Sequence, residues 1–182
     1  MKLGIVVPCY NEEDVLEETS NRLFSLLINL VEKGKINNDS KIYFIDDGSR
    51  DKTWSLIKEA CDRDQHFCGI KLSKNRGHQN ALLAGLFTAH GDALITIDAD
   101  LQDDIFIDAY FNDFDIVYGV RKKREVDSFF KRFTAELFYK IIRILIGSDS
   151  IDNHADYRLM SRRSIENLKQ YKEVNLYLRG LV

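Results

Sequence analysis

The sequence predicts an α/β fold with a mostly parallel central sheet and helices on both faces. Three observations predict it. Short apolar, β-branched runs recur along the chain, and between them lie amphipathic stretches of ten or more residues. That alternation is the signature of βα units covering a parallel sheet. Several of the apolar runs also stop abruptly at carboxylates, as in "FIDDGS" and "LITIDADLQDD". An open α/β sheet places its ligand crevice beyond the carboxyl ends of its strands.

Taken in order, the predicted strands are Leu3–Val7, Ile42–Ile45, Phe67–Leu72, Ala93–Ile97 and Asp115–Tyr118, each short and closed by polar residues or glycine. Glu13–Val31 reads as a helix because Leu16, Thr19, Leu23, Leu26, Leu27 and Leu30 recur at helical spacing. Asp51–Cys61 and Gly77–His90 are further helices, the second rich in Ala and Leu. Beyond a segment rich in Arg and Lys, Phe130, Phe133, Leu137, Ile141 and Ile144 form an apolar stripe, with Gly147 as its stop. The single proline is Pro8, and no repeat or Pro/Gly linker divides the chain.

The 182 residues suffice for one hydrophobic core, so one domain spanning 1–182 is expected. A net charge of −3 gives no electrostatic footprint for nucleic acid. Cys9, Cys61 and Cys68 lack metal-like or disulfide-like spacing and read as free thiols in a reducing compartment. The first residues make a poor signal peptide, and no window reaches the ~20 apolar residues of a membrane span. The expectation is a soluble, cytoplasmic-type domain, with the gene product left free to be longer.

The chemistry concentrates where strands end. Asp98 and Asp100 sit two apart, and two such carboxylates repel unless a cation lies between them. Mg²⁺ or Mn²⁺ bound there could grip a diphosphate and stabilise it as a leaving group; the competing reading is a solvated loop with Asp103 capping a helix. Asp46 and Asp47 could accept from a ribose hydroxyl or a base N–H, with Asp51 or Ser49 capping the next helix. No G-x-G-x-x-G accompanies them, which disfavours a dinucleotide enzyme. Asn11 and Glu12 follow the first strand, where Asn11 reads as a cap and the acids complement a helix N-terminus. In "NRGHQNA", Gly77 could let backbone approach a ligand, and Arg76 or His78 could meet phosphate. In "DNHADYRLMSRR" an aspartate could serve as a base beside Arg158, or the stretch is a polar loop followed by a helix. The basic run 121–132 reads as a solvated face, or as a contact to anionic lipid.

Five segments, "VVPCYNEE", "FIDDGSRDKT", "NRGHQNALLAGL", "DADLQD" and "DYRLMSRR", together resemble the family 2 inverting glycosyltransferases of GT-A fold. The likeness is nearest to the polyprenyl-phosphate glycosyltransferases, such as bactoprenol glucosyltransferase and dolichyl-phosphate mannose synthase, and covers nearly the whole chain. It implies that Pro8, Tyr10 and Glu12 contact the nucleotide and that Asp47 reads base or ribose. Asp98 and Asp100 would hold Mg²⁺ or Mn²⁺ and the diphosphate, with Gln102 and Asp103 facing the donor sugar. Asp156 and Asp103 are the expected catalytic residues, Asp156 as a base near the acceptor. Arg121, Arg124, Arg132 and Arg158 would receive the lipid phosphate.

Two departures accompany the resemblance. Asp104 and Ile105 stand where the family often has two prolines, and the sequence stops at Val182, where lipid-acceptor members continue into transmembrane helices. The expected activity is transfer of a hexose from a nucleotide-diphosphate donor, UDP-glucose or a related UDP-hexose, to a polyprenyl phosphate at the cytoplasmic membrane face. A saccharide hydroxyl acceptor, or a nucleotide-binding regulatory module without turnover, are the alternatives. Homo-oligomerisation is left open.

Overall fold

A computed structural model describes residues 1–99, 115–120 and 154–171. Six strands, β1 (Leu3–Cys9), β2 (Lys41–Asp46), β3 (Phe67–Lys71), β4 (Ala93–Thr96), β5 (Ile116–Val120) and β6 (His154–Ser161), form one sheet in the order β3-β2-β1-β4-β6-β5. The pairs β1–β2, β1–β4 and β2–β3 are parallel, whereas β6 runs antiparallel to both β4 and β5. Five strands therefore share one direction and β6 opposes them.

Every residue of β1 and β4 is buried, as expected of central strands covered on both faces. One face carries Leu3, Ile5, Val7, Ile42 and Phe44 against helices α1 (Leu16–Glu32) and α2 (Thr53–Arg63). The other carries Val6, Tyr43, Ile45 and Leu94 against α3 (His78–Thr88) and α4 (Arg162–Leu168). Gly85 lets α3 sit close: a Cβ there would lie 2.3 Å from Val6 Cγ1 and 2.9 Å from Ile45 Cγ1.

The five predicted strands and three of the predicted helices are present, with ends shifted by a few residues. The correction is β6. "HADYRLMS" interleaves polar and apolar residues and reads as a loop until its partners are known. Its ladder supplies them, with Leu159 between Ile95 and Val117 and Met160 between Leu94 and Ile116. Asn11 does not cap α1. It adopts φ 56°, while Val15 precedes the helix without a side-chain cap. The apolar stripe of residues 130–144 and its stop at Gly147 lie outside the described residues.

Between α2 and β3 the chain turns on Asp64. Its Oδ1 accepts from the His66 amide at 2.9 Å and faces His66 Nδ1 at 2.6 Å, while His66 Nε2 faces the Asn38 carbonyl at 2.9 Å. The amide bond, then the imidazole, hold the Asp64 carboxyl below the ordinary carboxylate range. A carboxyl depressed in the folded state stabilises above its unfolded pKa, about 4, and that contribution fades as pH falls through the lower folded value. Asp64→Asn is therefore expected to lower the urea midpoint at pH 7 and to lose less of it between pH 7 and pH 3 than the parent. Urea titrations of both proteins across that range check it.

Candidate active site

Because five strands share a direction, the carboxyl ends of β1, β2, β3 and β4 open on one edge. β6 runs the other way, so its first residues reach the same edge. Thr96 pairs with Arg158, and continuing that ladder by two residues sets the backbone of Asp156 level with Asp98. β5 ends there too, at Val120, and Arg121 follows it in sequence.

Asp46 and Asp47 explain their own adjacency. Successive strand residues face opposite sides of a sheet. Asp46 is fully buried on the α1/α2 side, where its Oδ1 accepts from the Ser49 amide at 3.0 Å and Lys71 Nζ lies 3.8 Å from Oδ2. Lys71 also rests 5.3 Å from the centre of the Trp54 ring. Cys9, paired with Asp46 in the sheet, is buried as well; that burial, and then Glu12 and Asp46, push its thiol pKa far up, so it stays protonated. Asp47, only 2% exposed, accepts from the Arg76 amide at 2.7 Å and the Gly77 amide at 2.8 Å.

The loops after β1 and β2 are knitted by side chains that sequence reasoning assigned elsewhere or passed over. Ser49 Oγ accepts from the Asn11 amide at 3.0 Å, and Asn11 Oδ1 accepts from the Arg50 amide at 3.0 Å. Thr53 Oγ1 accepts from the Glu12 amide at 2.8 Å. Glu13 accepts from the Lys52 amide at 2.9 Å, and Asp51 accepts from the Glu13 and Thr53 amides at 3.2 and 3.0 Å. Asp51 thus satisfies the first amide of α2, the capping contact that the sequence offered to Asp51 or Ser49, although Lys52 occupies the N-cap position. The signal for the rest was present in the polar run "DGSRDKT", but its partners lie some forty residues away.

At the end of β4, Asp98 is half-buried and His78, the first residue of α3, brings Nε2 to 3.6 Å from its Oδ1. Thr19 Oγ1 donates to the carbonyl of Ala99, tying α1 to the same turn. The structure therefore gathers Tyr10, Glu12, Asp47, Asp98 and the backbone of Asp156 at one edge. Tyr10 is exposed, while Pro8 is buried within β1. Arg158 is buried in β6 at 4% exposure, not on an open surface. Asp100, Gln102, Asp103, Arg121, Arg124 and Arg132 lie outside the described residues.

Hard divalent cations take oxygen ligands, and a bound diphosphate supplies part of the set. Asp98, a half-buried carboxylate just past β4 at this edge, supplies oxygen ligands suited to such an ion. Among the described residues no three His, Cys, Asp or Glu side chains converge as a self-sufficient cage. Also among them, no helix is long and apolar enough to cross a membrane.

Residues 4–169 match the family Glycosyl transferase family 2. The chain is 52% identical over 187 residues to the uncharacterized glycosyltransferase YkoT of Bacillus subtilis, covering 99% of this chain and 55% of that protein. It is 37% identical to a prophage bactoprenol glucosyl transferase homolog of Escherichia coli, covering 100% of this chain and 59% of that one. The chain thus spans little more than half the length of these relatives. Among solved structures, the mannosyltransferase PcManGT from Pyrobaculum calidifontis, in complex with GDP-Man and Mn²⁺, superposes with a TM-score of 0.56 at 20% identity. That match covers 92% of this chain and 46% of the archaeal one, and it supports the GT-A fold.

Gly48 marks how closely these loops pack. Its φ is +72°, and a Cβ would stand 2.6 Å from Asn75 N and 2.7 Å from Lys74 C, both backbone atoms. Gly34 has a similar φ of +67° with nothing within 4 Å. Gly34→Ala is expected to cost about 1 kcal/mol from backbone strain alone. Gly48→Ala adds the collision and is expected to cost about 1–3 kcal/mol more. Urea denaturation of the two variants beside the parent measures the difference.

Proposed function

The chain belongs to glycosyl transferase family 2, and from that premise we propose that it transfers a hexose, with inversion, from a UDP-hexose such as UDP-glucose to a polyprenyl phosphate at the cytoplasmic face of a membrane. The observation that carries the reading is the shared edge: Tyr10 and Glu12 after β1, Asp47 after β2, Asp98 after β4 and the backbone of Asp156 at the start of β6. The bactoprenol glucosyl transferase homolog supports a lipid acceptor, and the GDP-Man and Mn²⁺ bound to the archaeal neighbour support a metal-assisted nucleotide-sugar site.

In this reading Tyr10 and Glu12 line the nucleotide, and Asp98 with Asp100 holds Mg²⁺ or Mn²⁺. The ion, when bound, offsets the charge that develops on the departing nucleoside diphosphate. Gln102 and Asp103 stand on the sugar side. Arg121, Arg124 and Arg132 supply positive charge for the acceptor phosphate, while Arg158, buried in β6, contributes its charge from within the sheet. A phosphate monoester has a second pKa of about 6, so the attacking oxygen is already ionised near neutral pH. Asp156 then orients the acceptor more than it removes a proton.

The level placement of Asp156 and Asp98 favours a second reading, transfer to a saccharide hydroxyl. That oxygen must lose a proton during attack, and Asp156 would be its base.

A donor panel assayed with and without polyprenyl phosphate in detergent micelles separates these. Release of UDP from a UDP-hexose is expected to depend on the lipid phosphate and to fall about a hundredfold or more in Asp98→Ala and Asp100→Ala. Asp156→Asn is expected to retain lipid-phosphate transfer within about tenfold; a loss of about 10²–10⁴ would mark Asp156 as an obligatory base and favour the hydroxyl acceptor.

A further inference from the structure

Asp46 is a carboxylate whose hydrogen bonds answer only half of it. The residue is fully buried, and Oδ1 accepts from the Ser49 amide at 3.0 Å, but Oδ2 has no hydrogen-bond partner among the described residues. A buried carboxylate oxygen left without a donor is costly, and a nearby cation offsets part of that cost. Lys71 is that cation. Its Nζ stands 3.8 Å from Oδ2, too far for a hydrogen bond and near enough for charge to act.

The lysine is held in place from its other side. Its side chain is 44% exposed, yet Nζ also lies 5.3 Å from the centre of the Trp54 ring. Trp54 can lie this close because Gly69, two residues earlier on the same face of β3, has no side chain. A Cβ there would stand 2.7 Å from Ile57 Cγ2 and 3.2 Å from Trp54 Cζ3. From Asp46 the contacts then lead outward. Ser49 Oγ accepts from the Asn11 amide at 3.0 Å, and Asn11 Oδ1 accepts from the Arg50 amide at 3.0 Å. Asn11 has φ 56°, in the left-handed region, and Tyr10 and Glu12 flank it. A lysine on the edge strand of the sheet is thus two side chains removed from the loop between β1 and α1.

We propose that Lys71 is a positioning residue for that loop. By standing against Asp46 it holds the Asp46–Ser49–Asn11 chain, and through it the placing of Tyr10 and Glu12, without touching the donor. The inference rests on the donor-site reading above and adds a residue that none of the five segments behind the family resemblance contains.

Lys71→Met removes the charge and keeps an unbranched stem, whereas Lys71→Arg keeps the charge. In the full chain without nucleotide, hydrogen exchange at the Ser49 amide is expected to quicken about three- to tenfold in Lys71→Met, with β1 amides as protected as before. Lys71→Arg is expected to stay within about twofold of the parent. Calorimetry with Mn²⁺ and UDP is expected to show Kd raised about three- to tenfold in Lys71→Met at unchanged stoichiometry. Ser49→Ala cuts the chain between Asp46 and Asn11 but leaves the Ser49 amide. It is expected to weaken UDP by a similar factor, and adding Lys71→Met to it is expected to cost no more than about twofold further.

Weaker UDP binding in Lys71→Met with unchanged exchange at Ser49 would mean that Lys71 meets the nucleotide directly, and would overturn the proposal. Exchange that quickens equally in β1, the mark of a general loss of stability, would overturn it too. So would penalties of Lys71→Met and Ser49→Ala that multiply in full. Parental UDP binding that Lys71→Met leaves unaltered would sink the inference while the donor site stands. A parent chain that bound no UDP would bring down the donor-site reading and the inference together.

Discussion

The edge of this sheet depends on how two adjacent, buried carboxylates are satisfied. A carboxylate taken from water without compensation is costly; here the Ser49, Arg76 and Gly77 amides supply part of that compensation, and Lys71 stands 3.8 Å from Asp46 Oδ2, an oxygen that has no hydrogen-bond partner among the described residues. Asp46 turns to one face and holds the start of its own loop; Asp47 turns to the other and holds the loop after β3. A single dipeptide thereby fixes two crossovers that diverge to opposite sides of the sheet. Neutralising either residue would leave amide donors facing a weaker or mismatched acceptor in a place that water does not easily reach.

The consequence is a rim held together by side-chain-to-backbone bonds. Loops that carry function are ordinarily the mobile part of a domain. Here the loops after β1 and β2 exchange side-chain-to-backbone bonds in both directions, Asn11 with Ser49 and Arg50, Glu13 with Asp51 and Lys52. Preorganisation of this kind lowers the ordering cost of binding any ligand at this edge, the proposed nucleotide included. It also explains why Gly48 must be glycine: its backbone packs directly on that of Lys74 and Asn75, so the second and third loops touch without intervening side chains.

Much of this was legible in the sequence, and the reasons are physical. A buried parallel strand is an apolar run that ends abruptly, so "LGIVVPC" and "ALIT" declare themselves. The stripe of Leu16, Leu23, Leu27 and Leu30 does the same for α1. The carboxylates at strand ends lie at the carboxyl edge of the parallel strands, where their sequence positions put them. Strand β6 was not legible, because Arg158 and Asp156 interrupt its apolar residues and only pairing to β4 and β5 makes it a strand. Nor could Asp47 be assigned. Its bonds to the Arg76 and Gly77 amides join positions about thirty residues apart and carry no side-chain signature.

The reversal of β6 is what brings Asp156 toward this edge, as the proposed acceptor role requires. A strand rises about 3.3 Å per residue, and Asp156 lies near the beginning of β6. Had β6 run parallel to β4 over the same span, Asp156 would take the place of Leu159, opposite Ile95 and roughly 10 Å farther from the edge. Group transfer by direct displacement requires donor and nucleophile within about 3.5 Å, so a group that handles the acceptor has to stand within one or two side-chain lengths of the group that handles the diphosphate. Antiparallel pairing meets that requirement through backbone register alone, since Thr96 opposite Arg158 brings residue 156 level with residue 98. Among the described strands, the one that breaks the parallel pattern, and that sequence periodicity missed, is therefore the one on which the proposed reaction depends to bring Asp156 toward Asp98.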